Sequence, residues 1–279
     1  MARVKTFGVL CLALVLGFAA PPRAAAQLTE TEVAESPKWE EFLRTAEITG
    51  QEQKRGRGAV TNPWVLTLKQ GDVVQRAAWK NPDGTVHGYL DRWRYEIAAY
   101  RMDRLLGLNM VPPTVERRFR GDRGSCQLWI EGCITLLEKT EKKIPLPGAK
   151  IMTYNRAVYL QRAFDNLIAN EDRHQQNLLY TQPDWRTIFI DHSRSFRTSK
   201  KFTRELIYTA KHPEGPKLMK ELPRTFIEKL KALDAASIKA AVGEYLDDEE
   251  IGAILTRRDL ILAEIDKLVK ENGEENVIY

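Results

Sequence analysis

Residues 164–196 read FDNLIANEDRHQQNLLYTQPDWRTIFIDHSRSF. Two short polar clusters, each carrying an Asp, stand about twenty residues apart in it. The first is Asp172-Arg173-His174-Gln175-Gln176-Asn177. The second opens at Asp191, directly after the apolar run Ile188-Phe189-Ile190. The pattern between them predicts a hairpin, with Asn177 to Thr181 as one strand, Gln182-Pro183-Asp184 as the turn and Thr187 to Ile190 as the return. A hairpin brings its two ends to one edge, so Asp172, Asn177 and Asp191 are expected to converge. Carboxylate and amide oxygens are hard ligands, suited to Mg²⁺ or Mn²⁺ carrying ATP. A carboxylate left over would orient or deprotonate an attacking hydroxyl. Those are the parts of phosphoryl transfer, where catalysis is mainly positioning and charge neutralisation. An Asp-Arg pair with a nearby His is, taken alone, also a common solvated helix end; the ordered set of residues is what favours the site.

Working outward, Tyr154 to Asn170 predicts a helix whose core face is Ala157, Leu160, Phe164, Leu167 and Ile168 and whose C-terminus delivers the Asp172 cluster. The region before it reads as strands plus one long helix. Strands are expected at Ile48–Gln53, Trp64–Leu68 and Val73–Lys80, the last two joined at Gln70-Gly71-Asp72. A further hairpin is expected from Thr114–Arg120 and Cys126–Glu131 over Gly121-Asp122-Arg123-Gly124. Pro37–Ala46 predicts a short helix started by Ser36, and Tyr89–Leu106 a long one closed by Gly107. Lys54-Arg55-Gly56-Arg57-Gly58 lies between two strands. Gly56 and Gly58 would either let backbone N–H groups approach nucleotide phosphates or form a solvated hairpin tip. Lys80 is either a buried stem with a functional charge or an edge lysine guarding a strand. Glu96, beside the apolar stripe at Ile97, is either paired or at the surface.

Residues 138–148 are charged, then Pro-rich, and are expected to connect two lobes. The basic stretch Arg194, Arg197, Lys200 and Lys201 suits an acidic acceptor, a second phosphate or plain solvent. Helices are expected at Pro223–Leu233, Ala235–Leu246 and Glu249–Lys270, capped by Asp234 and by Asp247-Asp248.

The run from Phe164 to His174 resembles the F-D-x-x-x-x-N-x-D-R-H of the secretory-pathway kinases of the Golgi casein kinase and glycosaminoglycan xylosylkinase family. Asp191-His192-Ser193-Arg194-Ser195-Phe196 is similar, more loosely, to their D-N-G-R-G-F. A second block, Glu96-Ile97-Ala98-Ala99-Tyr100-Arg101-Met102-Asp103-Arg104-Leu105-Leu106 followed by Val111-Pro112-Pro113, resembles their E-I-A-A-F-x-L-D-R-I-L and V-P-P. The D-R-H-x-x-N form is shared more distantly with phosphatidylinositol 3/4-kinases. The resemblance covers roughly residues 60 to 200. It implies that Lys80 contacts the nucleotide phosphates, that Glu96 pairs with Lys80 and reaches the metal, that Asp172 acts as base and that Asp191 binds metal. Asn177 departs from an acidic position in these kinases and agrees with ordinary kinases, where Asn binds metal. Ser193 and Ser195 stand where the family has glycine, which predicts a different loop geometry.

The chain of 279 residues opens with Arg3 and Lys5, an apolar run from Phe7 to Ala20, Pro21-Pro22 and Ala24-Ala25-Ala26. This predicts a secretory signal peptide of residues 1–26, with an uncleaved anchor as the alternative. Of the formal net charge of +5, three units come from Arg3, Lys5 and Arg23, so the remainder gives no case for nucleic acid. No membrane span is expected after signal cleavage. Cys126 and Cys133 would form a local disulfide or stay as two buried thiols.

The expected fold is α+β and bilobal, protein-kinase-like. An antiparallel sheet plus one helix would make the first lobe, over residues 27–138. A mostly helical second lobe would span residues 139–279. The expected activity is an exported kinase using ATP and Mg²⁺ or Mn²⁺ on a protein or glycan acceptor. The alternatives are a secreted pseudokinase acting as a binding module, a lipid kinase or an AMP-transferase.

Overall fold

The computed structural model describes residues 28–54, 63–86, 88–182 and 184–279. The expected signal peptide and the glycines Gly56 and Gly58 lie outside the described residues. Two short helices, α1 (Glu30–Ala34) and α2 (Ser36–Thr45), lead into strands β1 (Glu47–Gln53), β2 (Trp64–Gln70) and β3 (Val73–Lys80). A small hairpin of β4 (Asp83–Val86) and β5 (Tyr89–Arg92) comes next, then helix α3 (Arg94–Leu106) and strands β6 (Thr114–Phe119) and β7 (Asp122–Leu128). The five long strands form one antiparallel sheet in the order β1-β2-β3-β7-β6.

After it come β8 (Cys133–Thr135), α4 (Leu136–Glu141), α5 (Ile151–Ile168), β9 (Leu178–Thr181) and β10 (Thr187–Phe189). The strands β10-β9-β8 make a second small sheet. The rest is helical: α6 (Lys200–Arg204), α7 (Arg224–Ala232), α8 (Ala235–Val242) and α9 (Asp248–Asn272). The fold is thus α+β and bilobal. Among the described residues no helix is long and apolar enough to cross a membrane.

Three local expectations are corrected. Tyr89–Arg92 is a strand rather than the first turn of the long helix, because β5 pairs with β4 and buries Asp91 against the segment after Asp191. The β6–β7 hairpin turns on Arg120 and Gly121 alone, both at positive φ (56° and 90°), so pairing runs to Phe119–Asp122 and the turn has two residues rather than four. Ser36 does not cap α2. Its hydroxyl donates to the Glu32 carbonyl of α1 instead. The caps at Asp234 and Asp247 form as reciprocal capping boxes.

Two apolar cores result. The sheet packs Leu66, Leu68, Ala77, Trp79, Val115 and Phe119 against Phe42 and Leu43 of α2. Gly124 permits this packing: a Cβ there would meet the Trp79 ring at 2.7 Å and the Lys80 carbonyl at 2.5 Å. The larger core joins α5, α7, α8 and α9, and it includes Ile97, Met102 and Leu106 of α3. Helix α3 therefore buries its apolar side in the helical lobe although its sequence lies among strands. Its first turn is tied there too: the buried Glu250 of α9 accepts from Tyr95 Oη (2.5 Å) and Arg94 Nη2 (2.9 Å). Glu96 thereby becomes a fixed point between the lobes.

Candidate active site

Lys80 is the last residue of β3, and its side chain is 12% exposed. Its Nζ lies 2.8 Å from Glu96 Oε1 and 2.8 Å from Asp191 Oδ1. Burial by itself would lower the lysine pKa; the two carboxylates outweigh it and hold the ammonium above its ordinary range. Burial would likewise raise Glu96, but the Lys80 charge holds that carboxyl well below the usual carboxylate range. Glu96 Oε2 accepts the backbone N–H of His192 at 2.9 Å. A sheet, a helix and a loop thus meet at one ammonium.

The Asp172 loop leaves α5 through Ala169, which adopts a left-handed conformation (φ 52°). Arg173 organises both ends of the adjoining hairpin. Its guanidinium, 1% exposed, makes a two-pronged pair with the buried Asp165 of α5 (Nη2–Oδ1 2.9 Å, Nε–Oδ2 3.0 Å). It also donates to the carbonyls of Asn177 (2.9 Å) and Ile190 (2.8 Å), one from each end of the β9–β10 hairpin. Its Nη2 lies 3.0 Å from His192 Nε2. A guanidinium only donates, so Nε2 accepts and the imidazole proton sits on Nδ1, 3.6 Å from Glu96 Oε2 and beyond hydrogen-bond length. Burial lowers the His192 pKa, which keeps the ring neutral. Asp165 accepts further from Asn170 (3.2 Å) and Gln161 (2.5 Å), and Asn170 Oδ1 accepts the Asp172 N–H at 3.1 Å. Asn177 Nδ2 closes the loop on the Asp172 carbonyl at 2.9 Å. Convergence of the hairpin's two ends is therefore enforced by a buried polar network.

The carboxyl of Asp172 is pushed up by burial, while the nearby Arg194 guanidinium, 3.5 Å from Oδ2, acts in the opposite direction. Asp191 itself sits at φ 62° and Phe196 at φ 58°. Ser193 and Ser195, standing where the kinases this chain resembles in sequence have glycine, do not occupy positive φ, so serine is compatible with this turn. Ser193 Oγ donates to the fully buried Asp91 at 2.8 Å, and the Arg92 N–H donates to the Ser193 carbonyl at 2.9 Å.

Lys80, Glu96, Asp172, Asn177 and Asp191 are thus brought to one place. Asp191 Oδ2 and Asn177 Oδ1 accept no hydrogen bond among the described residues, and both are hard oxygen donors of the kind Mg²⁺ or Mn²⁺ takes. Both oxygens of Glu96 are already engaged, leaving only their second lone pairs for a cation. No group of three His, Cys, Asp or Glu able to hold a metal occurs among the described residues. Beside Glu171 and His174 opens a cavity of about 1180 Å³, lined also by Phe202, Tyr208, Lys211 and Glu264.

Sequence reasoning did not assign the buried partners Asp91, Asp165 and His192. Asp165 carried a signal, an acid next to the core-face residue Phe164. Of the basic stretch, Arg194 is turned inward onto the buried Asp91, whereas Lys201 is exposed and pairs with Glu171 at the surface at 3.0 Å. Cys126 and Cys133 are free thiols in two different sheets, which removes the disulfide alternative; burial pushes them up to about 12 and about 11.

No family model matches the sequence, and no curated protein does. Solved structures do share the fold. A hydra Fam20 structure with sugar is 18% identical at a TM-score of 0.67, covering 91% of this chain and 95% of that one. The Golgi casein kinase is 14% identical at 0.64, covering 91% of this chain and 80% of that one. Its structure with Mn/ADP bound is 15% identical with the same TM-score and coverage. The chain has the bilobal, kinase-like fold of these structures.

Proposed function

We propose that this chain is an exported, metal- and ATP-dependent phosphotransferase that moves a γ-phosphate to a hydroxyl of a protein or glycan acceptor. The observation that carries the reading is Lys80 held at 2.8 Å by both Glu96 and Asp191, with Asp172 on the adjoining loop. Lys80 would hold the nucleotide phosphates and Glu96 would keep it in place. Gly56 and Gly58 would cover those phosphates. Asp191 and Asn177 would hold Mg²⁺ or Mn²⁺, with Glu96 able to touch it. When bound, the cation supplies charge neutralisation to the phosphates.

Asp172 would take the proton of the attacking hydroxyl. Burial raises its pKa, which makes it a stronger proton acceptor than a solvated Asp. The similar structures solved with sugar and with Mn/ADP support the acceptor class and the cofactors. Export rests on residues 1–26, and the two lobes would divide as residues 27–138 and 139–279.

The test is transfer from ATP labelled at the α or the γ position to casein, peptide or oligosaccharide acceptors. Label from the γ position alone, requiring Mg²⁺ or Mn²⁺ and reduced about 100-fold or more in Asp172→Asn, is the expected result. Label from the α position would make it an AMP-transferase. Undiminished transfer by Asp172→Asn would remove the base assignment.

A further inference from the structure

Arg194 is built into the site more firmly than a surface cation. Its Nε lies 3.1 Å from both oxygens of Asp91. Asp91 is fully buried and is itself fixed by Ser193 Oγ and by the β4–β5 hairpin. The Tyr89 ring lies 4.8 Å from the guanidinium carbon. Held on that side, the guanidinium presents its other end to the site, with Nη1 3.5 Å from Asp172 Oδ2. Nη2 donates to no described residue.

The charges around it give this placement a use. Lys80 is already shared by Glu96 and Asp191, so its charge is largely answered before any nucleotide arrives. Arg194 is the guanidinium within reach on the Asp172 side. A hydroxyl bonded to Asp172 would sit about 2.6–3.2 Å from that carboxylate. The phosphorus it attacks lies just beyond it, with the three equatorial oxygens spread around the line of attack. A donor held 3.5 Å from Asp172 would then lie beside the transferring group with its anchor unmoved. Preorganised donors aimed at the transferring group cost no reorganisation when the reaction occurs.

We propose that Arg194 contacts the γ-phosphoryl group of the bound nucleotide, and that Asp91 of the β4–β5 hairpin is the residue that positions it. This rests on the phosphotransferase reading above. A purely structural role would be a latch between the hairpin and the Asp191 loop, and the two roles differ in one readout. ADP lacks the group that Arg194 is assigned to touch.

Dissociation constants of ADP and of the non-hydrolysable β,γ-imido analogue of ATP, each with Mn²⁺, are measured by calorimetry on the full chain. In Arg194→Gln the imido analogue is expected to weaken about tenfold or more while ADP changes by less than about twofold. Arg194→Lys should fall between. Asp91→Asn, which keeps the guanidinium and loosens its anchor, should move the same way by less, and these two serve if Arg194→Gln does not fold. Equal weakening of both nucleotides, or no change in either, overturns the assignment and leaves a latch. If the wild-type chain binds neither nucleotide, the phosphotransferase reading falls, and this inference with it.

Discussion

The loop bearing Asp172 and the loop bearing Asp191 meet at one site but are held in unlike ways. The first is fixed within the helical lobe. Arg173, Asp165, Asn170 and Gln161 are buried there, and each satisfies another. The second takes its outer supports from beyond its own loop: Lys80 on β3 of the sheet, Glu96 on α3 between the lobes, and Asp91 and Arg92 on the β4–β5 hairpin. The Asp172 loop is therefore preset by one lobe, whereas the Asp191 turn is correct only when both lobes are in register. Arg173 is the bridge, since it also holds the Ile190 carbonyl immediately before Asp191.

The largest effect should come from cutting that bridge. Arg173→Ala would leave Asp165 buried without its partner and two carbonyls short of a donor. A loss of about 3–5 kcal/mol is expected. For a chain of this size that lowers Tm by roughly 10 °C. A change under about 1 kcal/mol in a thermal or denaturant titration would mean that the loops are joined by something else.

A smaller effect is expected on the sheet side. Lys80→Met would strand the buried Glu96 and cost about 1–3 kcal/mol. Adding Glu96→Gln should recover much of this, giving an interaction energy of about 1–2 kcal/mol in a double-mutant cycle, with transfer still absent. Additive losses would show that the ion pair does not hold α3 to β3.

The smallest effect concerns the two sheets. Burial raises the pKa values of Cys126 and Cys133 to about 12 and about 11, so less thiolate exists at any given pH than for a free cysteine. At pH 8, alkylation in the folded chain should be slowed on the order of 100-fold relative to the unfolded chain. Cys133 is half-buried and should react faster than the fully buried Cys126; fast reaction at Cys126 would show that the large sheet opens readily.

Much of the frame was legible because it is locally encoded. The hairpin between the two Asp clusters follows from two apolar runs around Gln182-Pro183-Asp184, and the α5 stripe from its helical spacing. The caps at Asp234 and Asp247 need only their own side chains. The β4–β5 hairpin was not legible. Leu90 and Trp93 continue the helical stripe of Ile97, and strand geometry at Tyr89–Arg92 is supported by Ser193 and Arg194, about a hundred residues away. Serine at 193 and 195 suggested an altered loop because a sequence does not say which residue takes positive φ; here Asp191 and Phe196 do. The role of Arg173 was hidden for a similar reason. Two of its partners are backbone carbonyls, which carry no residue signature.

The central claim is that the two loops together make a metal-dependent nucleotide site, and thermal unfolding tests it most directly. The chain is heated with and without ATP plus Mn²⁺, as wild type and as Asp191→Asn, a change that the left-handed backbone tolerates. A ligand at a hundred times its dissociation constant stabilises by about 2.7 kcal/mol. The account predicts a shift of that order in the wild type that requires Mn²⁺ and is lost in Asp191→Asn. A folded wild type that shows no shift, or a variant that keeps the full Mn²⁺-dependent shift, would contradict it.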